Sequence, residues 1–262
     1  MALIRPTGPA GLCLILFVAA CRCSLQAQVT ETPATIGPGS VFMRMDAISL
    51  GVEPDSAAPN QYRALALGTT LVSVGLTDSL DIETGTQLFL RDTFNSSGNV
   101  ETDSGIGDFT IRTKWTFWKD PSSGEEAAVI PYVMVPVNSS AVGNNSVEGG
   151  LIVPWSRDLG AGLKAEAMAE WDEFRNVSNT RYDSRWFGSA AAQWDLGGRV
   201  GAYAEATVSL STAGSSSDDA TLGGGATLSV SKNFQWDYEV SRVIGSGRNQ
   251  WTQVLRFRWK IL

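Results

Sequence analysis

The feature that most constrains this chain is an alternation of apolar and polar residues with a period of two, which recurs from Val41 onward. In residues 251–261 the odd positions are apolar except for Gln253, and the even positions include three cations. Successive side chains of a β-strand point to opposite faces, so the pattern predicts strands with one apolar and one polar face. We find no sustained helical period, and the sequence therefore predicts an all-β fold.

The apolar faces carry many small residues, as in the alternating stretches 163–171 and 200–210. A soluble core needs Leu, Ile and Phe to fill its volume, whereas a wall that faces lipid has no such need. Trp186 and Trp194 share one apolar face, and their spacing of roughly 20 Å on a tilted strand matches that of two aromatic girdles. These features favour a membrane barrel, with a crowded soluble barrel as the alternative.

The connections alternate between short turns and longer polar loops such as 95–104. This is typical of an outer-membrane barrel, and an even number of strands places both termini on the short-turn, periplasmic side. A secreted soluble β-sandwich glycoprotein also has regularly spaced strands, but it gives no reason for the alternation. We predict an antiparallel transmembrane β-barrel of about twelve strands, at 41–51, 61–76, 80–93, 107–119, 127–137, 147–156, 161–173, 182–195, 199–211, 220–231, 234–244 and 250–261.

The N-terminus has the pattern of a targeting segment. Arg5 is the only charge before an apolar run over residues 11–20, which is too short to span a membrane and fits a signal peptide. We predict a signal peptide at 1–27, a flexible periplasmic lead at 28–40 and an outer-membrane barrel at 41–262. Cleavage after Ala27 would remove all three cysteines. In an alternative interpretation, residues 18–21 form a lipobox and Cys21 is lipidated.

Composition excludes several classes of protein. The chain has no histidine, so it cannot build a Ser–His or Cys–His nucleophile or a His-ligated metal or haem site. A sequence pI of 4.7 argues against nucleic acid as a partner, and a mean hydropathy of −0.03 argues against a bundle of membrane helices. Glu166, Glu170 and Asp172 share one strand face, as any lumen-facing acids would. We therefore predict neither enzymatic activity nor a cofactor.

Two short motifs carry a family resemblance. Residues 75–83 read GLTDSLDIE, and residues 105–110 read GIGDFT and are followed by Lys114. They resemble the turn and strand-entry motifs of the MetA-pathway of phenol degradation family of bacterial outer-membrane transporters, over most of residues 61–262. The resemblance implies a β-barrel transporter or channel of undefined substrate. The chain departs from the usual pattern at its end, which is Leu262 rather than Phe or Trp.

The polar faces of the predicted strands collect charges of both signs. Two interpretations compete: cross-barrel ion pairs that fill a narrow interior, or the lining of a water-filled channel. The candidate pore-lining residues are Glu83, Arg91, Arg112, Lys114, Glu166, Glu170, Arg185, Glu205, Glu239, Arg256 and Arg258.

The sequence thus predicts a multi-pass barrel of the bacterial outer membrane that serves as a channel for the passive passage of small solutes, with hydrophobic or aromatic compounds among the candidates. The alternative is a structural or surface-interaction barrel with a closed lumen. The expected partners are outer-membrane lipid and lipopolysaccharide, the barrel-assembly machinery and a small-molecule solute.

Overall fold

The computed structural model describes residues 29–53, 60–96, 99–137, 142, 146–176, 180–212, 219–244 and 249–262, and the predicted signal peptide lies outside them. No helix in these ranges is long and apolar enough to cross a membrane. The strands are β1 (Val41–Val52), β2 (Asn60–Thr77), β3 (Leu80–Ser96), β4 (Asn99–Gly105), β5 (Phe109–Asp120), β6 (Glu125–Val135), β7 (Glu148–Gly160), β8 (Leu163–Arg175), β9 (Tyr182–Asp195), β10 (Val200–Ser211), β11 (Asp219–Ser231), β12 (Phe234–Ile244) and β13 (Trp251–Lys260).

The strands close into an antiparallel barrel. Strands that are consecutive in sequence pair with each other, except that β5 pairs with β3 instead of β4. β1 pairs with both β2 and β13, which joins the two ends of the sheet. Residues 80–85 of β3 pair with β5, and residues 90–96 of β3 pair with β4. β4 and β5 together therefore occupy one strand position in the wall. The barrel therefore has twelve strand positions, which confirms the predicted fold.

One segment that the sequence predicts to be a loop forms a β-strand instead. Residues 95–104 were expected to form a long loop, but Asn99–Gly105 is β4 and pairs with β3 from Leu90↔Gly105 to Ser96↔Asn99. The β-branched residues Val100 and Thr102 favour this extended conformation.

The burial pattern is inverted relative to that of a soluble protein. Large apolar side chains face outward, with Trp186 59% and Leu210 53% exposed, whereas Arg256 on the inner face is only 1% exposed. Trp186 and Trp194 are both exposed on β9, as their shared face predicts. Because apolar side chains gain nothing from facing water, the outer surface is the lipid-facing wall of a membrane barrel.

Both ends of the barrel lie at the short-turn rim. The Val41 N–H donates to the Leu262 carbonyl oxygen over 3.1 Å, and β2 and β3 are joined at the same rim by Asp78 and Ser79 alone. The predicted placement of the barrel's first and last strands at the periplasmic rim agrees with this arrangement.

The alternation of faces is interrupted once in the long β2–β3 hairpin. Before Gly68, the buried residues Tyr62 and Ala64 have even numbers, whereas after it the buried residues Leu71 and Ser73 have odd numbers. The switch occurs at Gly68, which has a φ of +64°, a conformation that glycine adopts without steric cost. As a result, the inward-facing positions change from even to odd along β2.

Candidate functional site: the lumen and the N-terminal segment

Residues 29–40, which we call the N-terminal segment, run into the barrel lumen from the periplasmic rim. Thr30 and Glu31 are buried there, although the sequence suggested a flexible periplasmic lead for residues 28–40. The structure differs because the lumen wall supplies hydrogen-bond partners and counter-charges along the segment. These contacts anchor it at its base, middle and tip.

The base of the segment packs against Gly75 on β2. The Gly39 N–H donates to the Gly75 carbonyl oxygen over 2.9 Å, and the Gly75 N–H donates to the Ser40 carbonyl oxygen over 3.0 Å. A Cβ atom at Gly75 would lie 1.8 Å from the carbonyl oxygen of Gly37. Only glycine permits this approach, so a residue of the first family motif accommodates the segment.

The middle of the segment is held by the next residues of the same motif and by β5. The Ile36 N–H donates to the Asp81 carboxylate over 3.1 Å, and the Thr35 hydroxyl donates to the Asp78 carbonyl oxygen over 2.7 Å. The Thr116 hydroxyl donates to the Pro33 carbonyl oxygen over 2.5 Å. The segment is thus bonded to two neighbouring strands of the wall, β3 and β5.

The tip of the segment reaches β9 and β10. The Glu205 carboxylate accepts the Val29 N–H over 3.0 Å and the Thr30 N–H over 2.5 Å. The Thr30 hydroxyl lies 2.8 Å from the Ser189 hydroxyl. Glu205, a predicted pore-lining residue, therefore binds the chain's own backbone.

The strongest charge interactions of the segment are made by Glu31, its only charged residue. We call the group formed by Glu31, Arg44, Arg112, Lys114 and Glu83 the Glu31 cluster. The carboxylate of Glu31 contacts Arg112, lies 3.1 Å from Arg44 Nη2, and lies 3.9 Å from Lys114 Nζ. Arg112 Nε also lies 2.5 Å from Glu83.

Glu31 remains ionised inside this cluster. Burial by itself raises the pKa of a carboxyl group, but the charges of Arg112, Arg44 and Lys114 outweigh burial and hold the pKa of Glu31 far below its usual range. Two atoms of the cluster, Glu31 Oε2 and Arg44 Nε, are buried without a hydrogen-bond partner among the described residues. The cations therefore retain hydrogen-bonding capacity that Glu31 does not use.

A second charge cluster links β1, β12 and β13. Arg256 Nε lies 2.8 Å from Asp46, and Arg256 Nη1 lies 3.0 Å from Glu239 and 3.4 Å from Asp237. The Tyr203 hydroxyl donates to Asp237 over 3.0 Å. These ion pairs join neighbouring strands of the wall and do not cross the barrel.

A third cluster lies on β6, β8 and β9. Arg185 Nε donates to Asp172 over 2.9 Å, and the Tyr132 hydroxyl contacts both Asp172 and Glu170. Two inward positions before Glu170 on β8, Glu166 accepts a hydrogen bond from Gln193 and pairs with Lys164 over 3.0 Å. Charges of both signs therefore cover much of the inner wall.

The structure brings most of the predicted pore-lining residues to the inner face. Arg91 differs, since it is exposed on the upper part of β3. There β3 is paired with the part of β2 that precedes the switch at Gly68, as Leu65↔Arg91 shows, and the inward position belongs to Asp92, which bonds to Tyr62. The predicted residues on the inner face are Glu83, Arg112, Lys114, Glu166, Glu170, Arg185, Glu205, Glu239, Arg256 and the half-buried Arg258.

Sequence reasoning missed Glu31, Arg44 and Asp46 as lumen residues. Arg44 and Asp46 alternate with the apolar residues Met43 and Met45, so strict periodicity could have found them. Glu31 had one signal, namely that it is the only charge in a tract rich in Pro, Thr and Gly.

A closed barrel of twelve strand positions, with a lipid-facing apolar wall and a charged lumen, defines a porin-like outer-membrane β-barrel. The chain belongs to the family described as "Putative MetA-pathway of phenol degradation", which matches residues 54–261. No curated protein matches the sequence significantly.

Solved structures share the fold at low sequence identity. The COG4313 outer membrane channel from Pseudomonas putida F1 has a TM-score of 0.64 at 10% identity, over 88% of this chain and 98% of that one. The NanC porin has a TM-score of 0.54 at 10% identity, over 84% and 100%. The transport unit of the autotransporter AIDA-I from Escherichia coli has a TM-score of 0.54 at 11% identity, over 94% and 98%.

Proposed function

We propose that the protein is an outer-membrane channel for the passive passage of small solutes. The observation that carries this proposal is the charged inner wall, which extends from Asp81 near the periplasmic rim to Glu148 at the start of β7 near the other rim. Buried charges favour water or a polar solute over an apolar core. Membership of the family and the shared fold with the COG4313 channel support the proposal.

The solute is a small compound that tolerates a charged lining. The family description refers to phenol degradation, which supports aromatic compounds that carry a polar group. Movement would be diffusive, and the protein would perform no chemistry on the solute, since a chain without histidine has few routes to nucleophilic catalysis.

A second candidate function is a structural or surface-interaction barrel with a closed lumen. The observation that favours it is the N-terminal segment, which occupies the periplasmic half of the lumen through Glu31 and its partners. In this alternative the N-terminal segment stays in the lumen permanently, and the extracellular loops bind the partners of the barrel.

Recordings in planar bilayers distinguish the two functions. Reproducible single-channel steps from the purified, folded protein are expected for a channel, and silence is expected for a closed barrel. A liposome-swelling series with neutral, cationic, anionic and aromatic solutes would then rank the solutes that pass.

We also propose three further partners for the barrel. Lipopolysaccharide and outer-membrane lipid contact the apolar wall, to which Trp186 and Leu210 contribute. The barrel-assembly machinery recognises β13 and the two residues after it, where Trp259 on the strand and Leu262 beyond it are exposed.

A further inference from the structure

We propose that Arg44, Arg112 and Lys114 form a binding site for small organic carboxylates, that Glu31 occupies this site in the resting protein, and that a carboxylate solute competes with Glu31 for it. The inference rests on the proposed channel function and adds a solute class to it. In this scheme the N-terminal segment serves as an internal ligand that the solute displaces.

The balance of charge in the Glu31 cluster supports this assignment. With the segment in place, three cations face the carboxylates of Glu31 and Glu83. Withdrawal of Glu31 leaves the same three cations with Glu83 alone. Since unpaired charges out of bulk water are costly, an incoming carboxylate with a single negative charge would restore the resting balance.

The geometry of the cations suits a carboxylate. Two guanidinium groups, from Arg44 on β1 and Arg112 on β5, meet on the same oxygen, Glu31 Oε1. Within the described part of the chain, the other oxygen, Oε2, has the ammonium group of Lys114 at 3.9 Å and no hydrogen-bond donor, and Arg44 Nε donates no hydrogen bond. A carboxylate that is free of the segment can turn both oxygens toward these donors and use the planar fork of a guanidinium more fully.

The remaining contacts of the segment are of a kind that water can replace. They involve neutral backbone and hydroxyl groups of the segment, as where the Thr30 and Ile36 N–H groups donate to the carboxyl groups of Glu205 and Asp81, and water can replace a neutral partner at modest net cost. Glu31 instead pairs a full negative charge with the charges of Arg44, Arg112 and Lys114, and hydrogen bonds between two ionised groups are the strong ones. Competition at Glu31 is therefore the most effective way to release the segment.

The first test measures displacement without requiring any conduction. A Thr30→Cys variant of the mature chain carries its thiol on the buried tip, so a maleimide reacts with it only after the segment leaves the lumen. Benzoate should raise the labelling rate in a saturable manner, whereas benzamide, its neutral counterpart of similar shape, should not. Equal effects of the two compounds, or no effect of benzoate, would overturn the proposal.

The second test measures selectivity in planar bilayers under a gradient of potassium benzoate. Glu31→Gln should raise the permeability ratio of benzoate to potassium by at least about threefold, the factor that one unit charge contributes at roughly 7 Å in water. Adding Arg112→Gln should reverse that gain. Glu101→Gln is the matched control, because it removes an exposed carboxylate on β4 that lies outside the Glu31 cluster, and it should leave the ratio unchanged.

The outcomes separate the two proposals. If Glu31→Gln conducts with the permeability ratio of the wild type, the carboxylate site is wrong and the channel function stands. If benzoate releases the segment but folded protein and variants never conduct, the channel function is wrong and the carboxylate site stands. Folding of every variant is checked by the shift in gel mobility between unheated and heated samples.

Discussion

Glu31 of the N-terminal segment forms an ion pair with Arg112 on β5, and the Glu31 side chain is fully buried in the lumen. This contact joins a part of the chain that looks like an unstructured tract to the inner wall of the barrel. The lumen charges are therefore neutralised in two ways, some by the N-terminal segment and others by ion pairs between strands.

The lipid-facing wall predicts a depth-dependent penalty for a charge on its surface. Ala190 is exposed near the middle of β9, and Leu196 is exposed just beyond its periplasmic end. Ala190→Arg should lower the free energy of unfolding by about 2–4 kcal/mol, whereas Leu196→Arg should lower it by about 1 kcal/mol or less. Urea titration of the protein in lipid vesicles measures both. Equal losses would show that Ala190 does not face lipid.

The Arg256 cluster predicts a large loss of stability when its cation is removed. Arg256→Met leaves Asp46, Asp237 and Glu239 without their shared partner and should cost about 3 kcal/mol. Arg199→Met is the control, because Arg199 is exposed at a turn and bonds to a carbonyl oxygen. A cost for Arg256→Met no greater than for the control would mean that water screens the cluster.

The close approach of Gly37 to Gly75 predicts that a methyl group dislodges the segment. Gly75→Ala places its Cβ 1.8 Å from a carbonyl oxygen, whereas Gly188→Ala meets Val208 at an ordinary 3.5 Å. In a Thr30→Cys background, Gly75→Ala should therefore raise the rate of maleimide labelling, and Gly188→Ala should leave it unchanged. Identical rates would contradict the packing of the segment against β2.

Much of the wall follows from sequence alone because its alternation is uninterrupted. In β8 the acidic residues Glu166, Glu170 and Asp172 all face inward, as strict periodicity predicts. The short turns also predicted which rim carries Val41 and Leu262. Both features depend on residues that are close together in the sequence, so they can be predicted from the sequence alone.

The features that sequence reasoning missed depend on contacts between distant residues. The orientation of Arg91 follows from the switch near Gly68, and nothing in the local alternation of β3 indicates it. The place of the N-terminal segment depends on Arg44, Arg112 and Glu205, which three different strands bring together around it. A tract of Pro, Thr and Gly suggests flexibility unless those partners are known.

In the proposed channel, solutes pass only after the N-terminal segment leaves the lumen. The hydroxyl oxygens of Thr30 and Ser189 are 2.8 Å apart, so Thr30→Cys together with Ser189→Cys should form a disulfide that holds the segment in place. Single-channel recordings of the double variant should show few or no steps when it is oxidised and wild-type conductance after reduction by dithiothreitol. The two single-cysteine variants should not respond to the reductant. Equal conductance of the oxidised and reduced forms, with the disulfide verified by mass spectrometry, would contradict the claim.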